Sequence, residues 1–273
     1  MVCSSCRLFM EITSFITPNM KIQPLNYYDA DISYNSTLLV SSTNGLMSIF
    51  YDQALRKDRI ANDMQCKKVK FYPGDDFLFT TSDNTGLKVW DREKQKNIFT
   101  YPTDIILDHI YLEDRTIAAQ TEIGIKFFDL RMRYSSTFHK QRNILKMSKS
   151  GNNLAFCTRN QIFKYQHKNA FSIYKSPIEI LDFHLNVILT KNSLYFIDLG
   201  IEKPHTASKI VPVHPNYRDM SILITTVHKN QICFLEQNKD HIETISDCKT
   251  IDSAISNREN LYIFADNNLF LSK

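Results

Sequence analysis

The chain has 273 residues, with 43% hydrophobic and 12% aromatic content and a formal net charge of +4. A chain of this length buries about three quarters of its unfolded surface, so it folds without needing disulfides or a structural metal. No apolar run reaches the roughly 18 residues of a membrane span, and Glu11 interrupts an N-terminal apolar stretch that no basic segment precedes. Membrane insertion and secretion are therefore not expected. The six scattered cysteines predict reduced thiols in the nucleus or cytoplasm.

Residues 1–21 precede the first repeating unit. Cys3 and Cys6 form a lone CxxC with no second ligand pair nearby, so neither a metal nor another cofactor is predicted. Leu8 to Ile16 is apolar enough to form a strand. From residue 22 to 273 the chain reads as a single domain of repeats. Leu38-Leu-Val-Ser-Ser runs through a turn at Asn44-Gly45 into Met47-Ser-Ile-Phe50. Leu78-Phe-Thr-Thr then passes through Ser-Asp-Asn-Thr-Gly86 into Leu87-Lys-Val-Trp-Asp91, with Gly86 as the turn residue. Gly124-Ile-Lys-Phe-Phe-Asp129 repeats Gly86-Leu-Lys-Val-Trp-Asp91 without a gap.

Weaker copies end at Tyr165, Ile197, Leu235 and Leu271. The blade anchors are thus Phe50, Trp90 (with Asp91), Phe128, Tyr165, Ile197, Leu235 and Leu271. A strand pair closing on Trp90-Asp91 resembles the blade signature of the WD40 family, whose period is roughly 40 residues. The expected fold is all-β: a seven-bladed WD40-type β-propeller closed by the N-terminal strand. The last repeat is one outer strand short, and Leu8 to Ile16 is the segment left to supply it. A β-sandwich is the alternative for the same strands.

No nucleophile elbow, HExxH, phosphate loop or dinucleotide fingerprint occurs, and no enzyme is predicted. Histidines such as His109, His184 and His214 stand singly beside strand starts and read as structural. Carboxylates such as Asp75, Asp76, Glu113 and Asp114 read as turn residues. A small-ligand or catalytic propeller would need polar groups converging inward from several blades, and the sequence displays no such pattern.

Charge is unevenly spread. Between Leu130 and Ile178 there is no Asp or Glu, while Arg131, Arg133, Lys140, Arg142, Lys146, Lys149 and Arg159 fall in that span, with Lys164, Lys168 and Lys175 beyond them. These define a candidate basic sector on the third and fourth blades for nucleic acid or an acidic protein, set against a solvated surface as the plain alternative.

Phe128-Asp129-Leu130-Arg131 resembles the Trp-Asp-x-Arg box with which many propellers dock on the adaptor of cullin-RING ubiquitin ligases. Val69 to Ser82, Leu87 to Asp91 and Asp108-His109 also resemble the second-blade region of the Cockayne syndrome A family, over roughly residues 22–150. That resemblance implies a substrate receptor of a cullin-RING ligase in transcription-coupled DNA repair, with Phe128, Asp129 and Arg131 facing the adaptor. The leading expectation is a non-catalytic scaffold with protein partners in a multisubunit complex. The second is a subunit of an RNA-containing particle, such as a ribosome-assembly or splicing complex, using the basic sector.

Overall fold

The computed structural model describes residues 12–14, 27–33, 35, 37–42, 45–51, 56–61, 65–113, 115–132, 135–150, 153–166, 169–184, 187–211, 213, 222–236, 240–244, 248–256, 258, 260–266 and 268–272. Cys3, Cys6, Arg133, Lys168, His214 and most of the 8–16 segment lie outside them.

The described residues form seven four-stranded antiparallel sheets. The first strand is β1 (Ile12–Ser14). Sheet 1 holds β2 (Tyr27–Ile32), β3 (Leu38–Ser42), β4 (Leu46–Tyr51) and β5 (Arg56–Ala61). Sheet 2 holds β6 (Lys68–Phe71), β7 (Leu78–Asp83), β8 (Gly86–Asp91) and β9 (Lys96–Pro102). Sheet 3 holds β10 (Ile106–Glu113), β11 (Thr116–Thr121), β12 (Gly124–Asp129) and β13 (Ser135–Lys140). Sheet 4 holds β14 (Lys146–Ser150), β15 (Asn153–Cys157), β16 (Gln161–Gln166) and β17 (Asn169–Lys175).

Sheet 5 holds β18 (Asp182–His184), β19 (Val187–Leu189), β20 (Ser193–Phe196) and β21 (Ile201–Pro204). Sheet 6 holds β22 (Lys209–Val211), β23 (Ile222–His228), β24 (Gln231–Glu236) and β25 (Asp240–Thr244). The last three strands are β26 (Ile251–Ser256), β27 (Leu261–Ala265) and β28 (Asn268–Ser272), and β1 joins them as the edge strand of sheet 7. Six of these sheets are contiguous repeats. The seventh is a composite of the two chain ends, with Ile12, Thr13 and Ser14 opposite Ser272, Leu271 and Phe270.

The first strand of each sheet lies against the first strand of the next, from β2 through β6, β10, β14, β18 and β22 to β26 and back to β2. Seven apolar clusters fill the spaces between neighbouring sheets. Leu39, Met47 and Ile49 of sheet 1 meet Val69, Phe79 and Trp90 of sheet 2. Phe127 and Ile125 of sheet 3 meet Met147, Leu154 and Phe156 of sheet 4. Val227, Ile232 and Phe234 of sheet 6 meet Ala254, Leu261 and Ile263 of sheet 7. Period-2 alternation sends successive residues of each strand into opposite clusters, so every sheet is apolar on both faces.

The anchors share one register. Phe50, Trp90, Phe128 and Tyr165 pair with Leu38, Phe79, Ile117 and Leu154 on the second strand of their sheets. Each points into the cluster shared with the preceding sheet. Trp90 stacks on Phe79 at 6.1 Å between ring centroids, and its Nε1–H donates to Thr81 Oγ1 at 2.9 Å. Ile197 departs from the expected strand position. β20 ends at Phe196, and Ile197 sits in the following turn, where its side chain still packs into the cluster between sheets 4 and 5.

Gly86 and Gly124, which open the matching segments, are needed for more than turn freedom. A Cβ on Gly86 would lie 2.1 Å from the Tyr101 carbonyl oxygen, and one on Gly124 would lie 2.2 Å from the His139 carbonyl oxygen. The outer strand crosses directly over both positions. Cys66, Cys157, Cys233 and Cys248 are buried and form no disulfide. Phe156 is fully buried and packs against Phe163 and His139. Phe156→Ala is expected to cost about 3–5 kcal/mol in urea unfolding, through the cavity it leaves between sheets 3 and 4.

Candidate functional site

The innermost strands bring together charged side chains that are far apart in the chain. The register positions that begin these strands carry Asp29 in β2, Lys68 in β6, Asp108 in β10, Lys146 in β14, Asp182 in β18 and Lys209 in β22, with Asp252 beside the bulge of β26. Acid and base alternate from sheet 1 to sheet 7, and closure sets two acids, Asp252 and Asp29, on neighbouring sheets. This overturns the sequence-level finding that no polar groups converge inward. Inner strands contribute one or two such residues each, too few per segment to register as a motif.

The carboxylates tie sheets to one another. Asp29 takes the Lys68 ammonium at 3.1 Å on Oδ1 and the Val69 N–H at 3.1 Å on Oδ2. Two residues on, Asp31 repeats the contact with Lys70 at 3.3 Å and the Phe71 N–H at 2.7 Å. Asp182 Oδ1 accepts from Lys146 Nζ at 2.6 Å and from its neighbour Phe183 N–H at 2.8 Å. Its Oδ2 accepts the Ile210 N–H at 2.8 Å, so this one carboxylate links sheets 4, 5 and 6. Lys209 Nζ donates to the Asp252 carbonyl at 3.2 Å, joining sheets 6 and 7. Burial pushes the Asp31 and Asp108 carboxyls above their usual range, with Lys70 opposing the rise at Asp31 and Lys68 at Asp108. Burial and the nearby Lys146 and Lys68 ammoniums lower Lys209.

Two histidines adjoin ring carboxylates in the chain, His109 next to Asp108 and His184 two residues after Asp182. His109 is fully buried, and its Nε2 shares a hydrogen bond of 2.9 Å with Thr80 Oγ1. Burial, then the Lys70 charge, pulls its pKa down to about 3. His184 is pulled to about 4 by burial and Lys146. Both are neutral structural groups at physiological pH. A separate cavity of about 330 Å3 opens between sheets 5 and 6, lined by Asn192, His205, Thr226, His228, Gln231 and Cys233 among others. His205 Nε2 lies 2.7 Å from Thr226 Oγ1 there. Among the described residues no cluster of His, Cys, Asp or Glu is arranged to hold a metal, and no helix is long and apolar enough to cross a membrane.

The adaptor-box residues divide between core and rim. Phe128 is buried between sheets 2 and 3. Asp129 ends β12, and Arg131 lies in the turn that follows, on the rim formed by the first-to-second and third-to-fourth strand turns. Arg131 folds back on Asp129: its N–H and Nε donate to Oδ1 at 2.9 Å, and Nη2 bonds Oδ2. These bonds hold the Asp129 carboxyl down at about 2, while the arginine side chain remains 64% exposed. Asp91 caps its own turn in the same way, accepting the Lys94 N–H at 2.9 Å.

The basic sector does not form one surface. Arg131 and Lys149 approach the rim just described, whereas Lys140, Arg142, Arg159 and Lys175 lie at the opposite rim, where the innermost strands begin. Lys146 belongs to the axial ring. Antiparallel strands return the chain to alternate rims, so a run of like charges in sequence is split between two faces.

No family model matches the chain, and no curated protein matches its sequence. Among solved structures, a chain in the crystal structure of a mitotic checkpoint complex superposes with a TM-score of 0.72. It covers all of this chain and 95% of that one, at 11% identity. The chain is a β-propeller. At that identity the likeness establishes the propeller's fold alone, and the axial ring and the two rims describe this propeller's own residues.

The buried histidines set an acid limit on the propeller's stability. An unfolded histidine takes up a proton near pH 6.5, whereas folded His109 and His184 resist until about 3 and 4. Protons bind the unfolded state in excess across that window, so stability is complete above pH 6.5 and falls as pH drops toward 4. Urea midpoints measured from pH 7 to 4 are expected to fall less steeply in His109→Gln than in the parent. Asp182→Ala strands two buried N–H donors and Lys146, and is expected to cost about 1–3 kcal/mol in the same assay at pH 7.

Proposed function

We propose that the protein is a non-catalytic interaction scaffold, one subunit of a multisubunit complex that binds protein partners through its rims. The observation that carries this reading is where the apolar surface goes. The sheets spend their apolar faces on one another, and the axial charges are largely engaged in bonds between sheets. What remains for partners is a rigid frame presenting exposed turns on two opposite faces. Function on such a frame resides in the rim side chains rather than in the fold.

In its finer form, the scaffold is the substrate receptor of a cullin-RING ubiquitin ligase acting in transcription-coupled repair. Support comes from the resemblance over residues 22–150 and from Arg131, exposed in the turn after β12 and held in one orientation by Asp129. A fixed guanidinium fork suits an adaptor carboxylate or carbonyl. The test is a tagged pull-down from native cells, with and without nuclease, using the parent and Arg131→Glu. Nuclease-resistant recovery of a cullin and its adaptor, lost in the variant, is the expected result. Recovery of protein partners with no adaptor overturns the ligase form and leaves the scaffold. Partners that vanish with nuclease point instead to an RNA-containing particle.

A further inference from the structure

The rim at which the innermost strands begin carries an uneven surface. Over sheets 3 to 5 it exposes five aliphatic side chains: Leu107, Ile123, Leu145, Ile178 and Leu181, each between 37% and 52% accessible. They come from separate places in the chain. Leu107 is in the bulge opening β10, and Ile123 is in the turn between β11 and β12. Leu145, Ile178 and Leu181 lie in the connections leading into β14 and β18. The folded backbone holds these segments in place. The Leu145 N–H donates to the Cys157 carbonyl at 2.8 Å, Ile180 to Arg159 at 2.7 Å and Leu181 to Leu189 at 2.8 Å.

Exposed cations stand on the same rim of the same sheets: Lys140, Arg142, Arg159 and Lys175. The carboxylates among them are Asp104, Glu122 and Glu179; Asp104 is held by Lys126 at 3.1 Å, and Glu179 meets Arg159 at 3.6 Å with both side chains more than half exposed. A pair so exposed is weak and readily exchanged for another carboxylate. The axis itself offers less to a partner, because Lys68, Lys146 and Lys209 are already bonded across neighbouring sheets.

We infer that this rim over sheets 3 to 5, displaced from the axis, docks a protein segment rich in Asp and Glu and bearing aliphatic side chains. The inference rests on the scaffold reading above and names the partner's chemistry. Charge complementarity selects acidic residues, and the aliphatic side chains among the cations supply apolar contact. Nucleic acid fits less well. Single strands are held by aromatic platforms beside basic groups, and the exposed aromatics among the described residues lie elsewhere. Phe77 is in the opposite rim, and Phe138 and Phe171 are on the outer strands β13 and β17.

The experiment is fluorescence polarisation with three labelled probes: a peptide of repeated Leu-Glu-Glu-Leu-Leu-Glu-Glu, a polyglutamate peptide of equal length, and an oligouridylate. The Leu/Glu peptide is expected to bind most tightly and to weaken with salt. Arg142→Glu with Arg159→Glu should weaken it by about tenfold, as should Ile178→Ser with Leu181→Ser, whereas Lys94→Glu, in the exposed turn after β8 on the opposite rim, should leave it unchanged. Circular dichroism confirms that each variant is folded. Tighter binding of the oligouridylate, equal binding of polyglutamate, or indifference to both double variants overturns the docking inference. In the parallel native pull-down, protein partners retained by the Arg142/Arg159 variant would overturn this face while sparing the scaffold. Recovery of no protein partner by the parent would overturn the scaffold reading itself.

Discussion

Each sheet of this molecule is apolar on both faces and has no way to bury them except against two neighbours. That constraint closes the ring. A four-stranded sheet with Phe79 and Trp90 on one side and Leu87 and Tyr101 on the other cannot stand in water, and an open stack would leave two such faces exposed at its ends. Closure removes both ends at once. It also accounts for the pairing of Ile12–Ser14 with Phe270–Ser272 in sheet 7. β1 supplies the strand that the C-terminal three-stranded segment lacks, and main-chain pairing between Ile12–Ser14 and Phe270–Ser272 joins the start of the chain to its finish.

Closure creates a second problem, which the axial ring addresses. The innermost strands converge on the axis, where their first-strand edges have no hydrogen-bonding partner within their own sheet. Asp29, Asp31 and Asp182 provide one, each accepting a main-chain N–H from the next sheet together with a lysine ammonium. A buried carboxylate is tolerated when its oxygens are all engaged, and these have two or three donors each. The same bonds fix the angular spacing of the sheets. The succession of Asp and Lys from sheet 1 to sheet 6 accords with local need, since Asp29 and Asp182 are each matched by a lysine on a neighbouring strand.

With cores between sheets and charges at the axis both satisfied internally, the two rims become the surfaces with unspent chemistry, and they differ. One presents Arg131 locked to Asp129 after β12. The other presents aliphatic and cationic side chains over sheets 3 to 5. A frame that holds two dissimilar surfaces is compatible with the scaffold role proposed above, because one surface can be occupied without the other.

The repeat was legible because alternation and the anchors leave a mark on every unit. Leu38, Phe79, Ile117 and Leu154 recur opposite Phe50, Trp90, Phe128 and Tyr165, and burial on both faces demands apolar residues there in any such ring. Local chemistry was legible too, as with Asp75, read as a turn residue, whose carboxylate accepts the Phe77 N–H. What tertiary structure alone decided was which distant residues meet. The acid-free run from 130 to 178 left a basic sector and a solvated surface both open, and the zigzag of antiparallel strands divided it between two rims and drew Lys146 into the axis. Asp29, Lys68, Asp108, Lys146, Asp182 and Lys209 are separated by whole sheets in sequence and become neighbours only when the ring closes. Periodicity is written residue by residue, whereas convergence on an axis is a property of closure, to which each strand contributes only one or two side chains.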